Sequence, residues 1–215
     1  MARAKNSLNA VHDIAVFRRR VKVLARHLAT IIPSGGTVLD LGAGDGSIAQ
    51  ALMTLRPDLS ILGVDVLIRP HTLIPVEPYD GVTLPFPDNA FDYVTLVDVL
   101  HHTDDPVAVM SEAARVARQG VVIKDHRVEG AFARPTLRIM DWVGNRGHDV
   151  RLPYNYLTPG QWDVAFGKSG LKELRRIESL DLYPPPFGWV FDRGLHFVAL
   201  LAPEDKPSPL SRTPT

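Results

Sequence analysis

The chain has 215 residues, 45% of them hydrophobic and 22% charged, the balance of one folded domain rather than of a disordered segment. Its 24 Lys and Arg match its 24 Asp and Glu, so no net field draws it toward nucleic acid or acidic lipid. Cysteine is absent, which excludes disulfides, a thiolate nucleophile and Cys-based zinc sites. No continuous apolar segment marks a signal peptide near the start, and the stretch LHFVALLA is too short to span a bilayer, so a cytoplasmic protein is expected.

Residues 7–32 predict one amphipathic helix: Val11, Ile14, Phe17, Val21, Leu24, Leu28 and Ile31 recur at steps of three and four. Arg18, Arg19, Arg20, Lys22 and Arg26 give it a basic side, read as a solvated face. After Pro33-Ser34-Gly35-Gly36, Thr37 to Leu41 predicts a strand, and Ile48, Leu52 and Leu55 predict a helix ended by Pro57. Ile61 to Val66 is a second strand. The stretch LIRPHTLIPVEPYDG holds three prolines and cannot be helical throughout. Phe91 to Leu100 reads as a strand. Asp105 caps a helix that opens on Pro106 and runs to near Gly120, and Val121 to Lys124 is the next strand. Residues 127–157 read as irregular, Thr158 to Gln161 as a capping box, and 172–182 and 194–202 as two late strands. The tail from 203 to 215 is expected to be disordered. Apolar strands alternating with helices indicate a single α/β domain over residues 1–202, doubly wound about a mostly parallel sheet with helices on both faces.

VLDLGAGDGSIA (residues 38–49) is the strand, turn and helix start of a nucleotide-type cofactor site. Two cofactor classes compete for it. A dinucleotide loop wants G-x-G-x-x-G/A, and Ser47 stands in its last place. Asp40, Gly42, Gly44 and Gly46 instead fit D-x-G-x-G-x-G. The carboxylates of Asp40 and Asp45 would repel a pyrophosphate and suit the ammonium and sulfonium of S-adenosylmethionine (SAM). Gly42, Ala43 and Gly44 are therefore the expected cofactor-contacting backbone. Asp65, with Val66 beside it, ends LGVD where a carboxylate can accept both ribose hydroxyls.

With YDGVTLPFPDNAFDYVTLVDVLHHTDDP following VLDLGAGDG and LGVD in order, residues 30–125 resemble class I SAM-dependent methyltransferases, in the broad group that includes the ubiquinone/menaquinone-biosynthesis C-methyltransferases. The resemblance implies a seven-stranded Rossmann-like sheet with the last strand antiparallel. It also implies that Asp80, with Gly81 beside it, receives the adenine amino group; an Asp-Gly turn is the alternative. The strand end at Asp98 and Val99 is expected beside the methyl group.

Methyl transfer is an in-line displacement that needs positioning, and a base only where the acceptor must lose a proton. His126 and His101 are the candidate bases, with Asp125 orienting an imidazole; a surface ion pair between Lys124 and Asp125 is the alternative. No metal is expected, because no third ligand lies at helpful spacing near His101 and His102. Residues 127–157 are expected to form the substrate wall or lid, with Trp142, His148, Tyr154 and Tyr156 its pocket-lining candidates. The sequence thus points to a SAM-dependent methyltransferase acting on a small molecule at O, N or C. A non-catalytic SAM-binding module and an NAD(P)-dependent oxidoreductase are the alternatives. The oligomeric state, monomer or homodimer, is left open.

Overall fold

The computed structural model describes residues 2–145, 154–206 and 208–211, with side chains described from residue 16 to 142, 154 to 206 and 208 to 210. In chain order the elements are α1 (Ala2–Ile31), β1 (Gly36–Leu41), α2 (Ser47–Leu55), β2 (Leu59–Asp65), β3 (Val76–Pro78), β4 (Phe91–Val97), α3 (Pro106–Val116), β5 (Ala117–His126), α4 (Ala133–Asn145), α5 (Pro159–Lys168), β6 (Leu171–Ile177), α6 (Gly188–Phe191) and β7 (His196–Pro203). Short 3-10 turns lie at Leu100–His102 and Pro209–Ser211. Among the described residues no helix is long and apolar enough to cross a membrane.

The strands form one sheet in the order β3-β2-β1-β4-β5-β7-β6. Its first five members are parallel, and β7 runs antiparallel to both β5 and β6. Successive side chains of a strand point to opposite faces, so both faces must be apolar when helices cover both. In β1, Leu39 and Leu41 join the core formed with Met110 and Ala113 of α3 and Trp162 and Phe166 of α5. Val38 joins the opposite core, with Leu24, Leu28 and Ile31 of α1 and Leu52 of α2. The expected doubly wound sheet with an antiparallel last strand is the observed one.

Local signals act as expected at two helix starts. Asp105 accepts from Ala108 N–H (3.0 Å) with Pro106 at the first position of α3. Thr158 and Gln161 close a capping box on α5. Four differences have local causes. Helix α3 stops at Val116, because Ala117 to Gly120 pair with β4 as the start of β5. The proline-rich stretch contributes the edge strand β3, where Pro78 can sit without disrupting a ladder because only β2 flanks it. The segment read as irregular from 127 to 157 contains α4, whose Leu137 and Ala133 pack on Tyr156 and Leu195. The tail expected to be disordered from 203 starts inside β7, and Lys206 Nζ donates to the carbonyls of Ala117 (2.6 Å) and Ala114 (2.9 Å).

Candidate cofactor and catalytic site

The register of β1 with β4 and of β4 with β5 brings Leu41, Leu96 and Ile123 level. Everything just beyond them emerges at one edge of the sheet: the glycine loop after β1, Asp98 after β4, and Lys124, Asp125 and His126 at the end of β5. In an open α/β sheet this carboxyl edge is where ligands bind.

Gly42, Gly44 and Gly46 all take positive φ (77°, 60° and 75°), a conformation that costs little only for glycine. At Gly42 a Cβ would stand 2.5 Å from Val99 Cγ2, so this glycine is also a close-approach site. A Cβ at Gly44 would meet nothing within 4 Å, which leaves its backbone facing open space. Asp65 Oδ2 accepts from Gly44 N–H (2.8 Å), and Oδ1 accepts from Leu67 N–H (2.9 Å). Asp45 accepts from Ser47 N–H (3.0 Å) and Ser47 Oγ–H (2.7 Å), so its carboxylate already occupies the N-terminus of α2. That is the position a pyrophosphate would need.

Asp40 is buried and accepts from Thr95 Oγ1–H (2.6 Å). Burial pushes its carboxyl up to about 6, against the pull of the Thr95 hydrogen bond. Asp80 Oδ1 accepts from Val82 and Thr83 N–H (both 2.8 Å), the turn that the alternative reading described, with Gly81 at φ 83° inside it. Val66 is exposed beside that turn.

The other half of the edge is a buried polar cluster. Asp98, in the left-handed region at φ 58°, pairs with Lys124 Nζ through Oδ1 and with Arg20 of α1 through Oδ2. Burial alone would raise the Asp98 pKa, but these two cations hold it well below the usual carboxylate range. Asp125 accepts from His101 Nδ1–H (2.7 Å), Leu100 N–H (3.1 Å) and His126 N–H (2.7 Å). Burial lowers the His101 pKa, but Asp125 more than offsets it, with Asp141 and Asp98 helping, and the net shift is upward. Burial and then Lys124 push His126 well below the ordinary imidazole value. Its Nδ1 shares a hydrogen bond with His196 Nδ1 (3.0 Å). Tyr156 donates to Asp141, and its ring lies 5.9 Å from that of His101.

The surface pair of Lys124 with Asp125, the alternative reading, does not form. Both side chains are buried, and each has a different partner. Asp98, expected beside the methyl group, has its carboxylate engaged by Lys124 and Arg20. Of the substrate-wall candidates, Tyr156 is in the cluster. Tyr154 is half-buried at φ 56°, with the Arg138 guanidinium 4.9 Å over its ring. Trp142 is 54% exposed on α4, and His148 lies outside the described residues. Sequence reasoning missed Arg20, hidden in a run of basic residues, and His196, which pairs with His126 only across the antiparallel β5–β7 ladder. Neither carries a local signal.

The parallel Rossmann-like core, the antiparallel seventh strand and a glycine loop guarded by carboxylates define a class of fold, that of SAM-dependent methyltransferases. Residues 39–123 match the family model described as methyltransferase domain. The ubiquinone/menaquinone biosynthesis C-methyltransferase UbiE of Cupriavidus taiwanensis is 28% identical over 142 residues, 57% of this chain and 58% of that protein. The chain thus spans less than two thirds of the curated relatives it matches. Among solved structures, a methyltransferase from Haloferax volcanii in complex with the Trm112 activator superposes with a TM-score of 0.64 at 18% identity, covering 89% of this chain and 93% of that one. The SAH-bound methyltransferase CalO1 of calicheamicin biosynthesis gives 0.62 at 21% identity, covering 88% and 54%. The chain is thus similar over residues 39–123 to the methyltransferase domain, and its fold is that of SAM-dependent methyltransferases, a class whose cofactor is SAM.

Proposed function

We propose that the chain transfers the methyl group of SAM to a small-molecule acceptor at the carboxyl edge of its sheet. The observation that carries this is the juxtaposition of an open glycine loop with a buried cluster of imidazoles and carboxylates at that edge. The residues fit the cofactor: Gly44 leaves its backbone open, Asp65 ends β2 with each oxygen able to accept a further hydroxyl, and Asp45 takes the Ser47 N–H at the start of α2, where a dinucleotide's phosphates would go. Asp40, Gly42, Ala43 and Gly44 would hold the methionine part, Asp65 and Val66 the ribose, Asp80 and Gly81 the adenine, and Asp98 and Val99 would border the methyl. When bound, SAM supplies an electrophilic methyl on a cationic sulfur.

The chain's own contribution is positioning and proton handling. Asp125 fixes His101 with its Nδ1–H directed backward, so Nε2 is the atom that can receive an acceptor's proton. His126 is the second candidate base. Tyr156 and Asp141 border the same space, and Trp142, Tyr154 and His148 belong to the segment proposed to wall the acceptor. The relatives' names place some of them in quinone and natural-product methylation, which supports a small-molecule acceptor here.

Calorimetry with SAM, S-adenosylhomocysteine and NADH tests the cofactor half: the adenosyl ligands bind and NADH does not. Screening metabolite extracts with methyl-labelled SAM tests the transfer. A chain that binds SAM yet labels nothing would instead be a SAM-binding module.

A further inference from the structure

We propose that the outer faces of α4 and α6 form a docking surface for an anionic lipid bilayer, seated at headgroup level. The inference goes beyond the methyl transfer proposed above and does not depend on which acceptor is used. Helix α4 is apolar on two opposite sides. Ala133, Leu137 and Asp141 recur at steps of four and are buried, which marks the side facing the protein. Pro135, Ile139 and Trp142, at steps of four and three, lie on the other side, and all three are exposed. Phe132, one residue before the helix, is 72% exposed. Helix α6 touches α4 and adds Trp189, 74% exposed, with Phe187 and Val190 exposed beside it. Large apolar side chains gathered this way, rather than scattered singly, mark an interaction surface.

Charge chooses the partner. Arg134 and Arg138 stand one turn apart on the flank of α4, Arg193 follows α6, and all three are exposed. The carboxylates of these elements do not offset them. Asp141 is buried. Asp192 is turned inward, accepting from Leu182 and Tyr183 N–H (both 3.1 Å), and Glu129, in the turn before α4, pairs with Arg127 (3.4 Å). The charges of the whole chain balance, so this positive surplus is local. Arginines beside tryptophan and phenylalanine suit a lipid headgroup layer: phosphates meet the guanidinium groups, and the aromatic rings sit at the boundary with the acyl chains. Rings that project this far enter a bilayer without the matching pocket that a protein partner must supply. With 13 residues, α4 is too short to span the bilayer, so it lies on the surface. Its inner side carries Asp141, which stands 3.6 Å from the Nε2 of His101 and of His126. A docked bilayer therefore lies one helix, about 10 Å, from the acceptor space.

The test uses the full chain and vesicles of phosphatidylcholine, alone or mixed with phosphatidylglycerol, read by co-sedimentation and by tryptophan emission. Each arginine near an anionic surface contributes about fivefold, so binding to the mixed vesicles should be about a hundredfold tighter. A blue shift is expected as Trp142 and Trp189 leave water, and binding should weaken as salt rises. Trp189→Ser should weaken it about tenfold, and Arg134→Gln and Arg193→Gln about fivefold each. Arg26→Gln, which removes an exposed arginine of α1, leaves it unchanged. Thermal melting and SAM affinity stay at wild-type values in all four variants. Absence of binding to the mixed vesicles, equal binding to both kinds, or equal affinity in the wild type and the three patch variants overturns the proposal. So does self-association without vesicles that Trp189→Ser abolishes, because the face then belongs to a second copy of the chain. A chain that binds the mixed vesicles but not SAM overturns the cofactor reading instead.

Discussion

Asp40 is 7% exposed at the end of β1, and its carboxyl is pushed up to about 6 by burial. A carboxyl whose folded pKa lies above its unfolded value binds its proton more tightly in the folded chain. Its stabilising contribution is therefore complete below about pH 3.8 and lost as pH rises through about 6. For the cofactor-free chain, the loss attributable to Asp40 between about pH 4.5 and about pH 7.5 is about 2 kcal/mol. Asp40→Asn should remove that portion of the pH dependence, read as the difference in urea unfolding between variant and wild type at the two pH values. Asp65 acts differently, because both oxygens already accept backbone N–H groups and stay available to ribose. Asp65→Ala is expected to weaken SAM by about 1.5–3 kcal/mol, the usual cost of losing a charge-assisted hydrogen bond, measured by calorimetry. Unchanged affinity would contradict the ribose role. At this scale the sequence was informative where function demands an acid at a strand end. It offered Asp125 as an acid orienting an imidazole, but it could not show that Lys124 is buried against Asp98, which lies on another segment.

Among the elements, the β1–α2 turn is the one whose backbone is most constrained. Gly42→Ala must place a Cβ at φ 77° and 2.5 Å from Val99 Cγ2. The left-handed conformation alone costs about 1–2 kcal/mol, and displacing Val99 adds to it, so a lower melting temperature and weaker SAM binding are expected together. Gly44→Ala carries the same backbone cost at φ 60° but meets open space. It should melt closer to wild type while still impairing SAM, and the contrast between the two variants separates loop folding from cofactor contact. Helix starts and buried strands were legible because their signals are local: Asp105 with Pro106, Thr158 with Gln161, the apolar runs of β1 and β4. The elements that were not legible depend on distant partners. The strand β3 is three residues long and exists because β2 offers a free edge. Helix α4 is amphipathic against Tyr156 and Leu195, which the sequence separates from it.

At the scale of the whole molecule, α1 joins the core to the site. Leu24, Leu28 and Ile31 pack with Leu52 of α2 and with Val198 and Leu200 of β7, so this helix covers one face of the sheet. One turn before Leu24, Arg20 reaches Asp98 at the carboxyl edge. The basic residues around it made the helix look like a uniformly solvated face, yet only tertiary structure distinguishes Arg20 from Arg18 and Arg19. The two roles can be separated. Leu28→Ala empties a side chain that is 2% exposed and should cost about 2–5 kcal/mol of stability, the range for deleting a buried leucine. Arg20→Met keeps the apolar stem that lies along the protein and removes the charge, while Lys124 continues to hold Asp98. Its expected cost in stability is about 1 kcal/mol, because Arg20 is part-exposed and Asp98 keeps one cation. Its effect on SAM binding and on methyl transfer should be larger than that, since Asp98 stands in a left-handed conformation next to Val99, which fills the space under Gly42. Chemical denaturation and calorimetry on the two variants give the comparison. Parallel losses of stability and cofactor affinity in Arg20→Met would mean that the helix contributes only packing. Loss of affinity with near-wild-type stability would mean that the N-terminal helix sets the geometry of the strand end on which methyl transfer is proposed to occur.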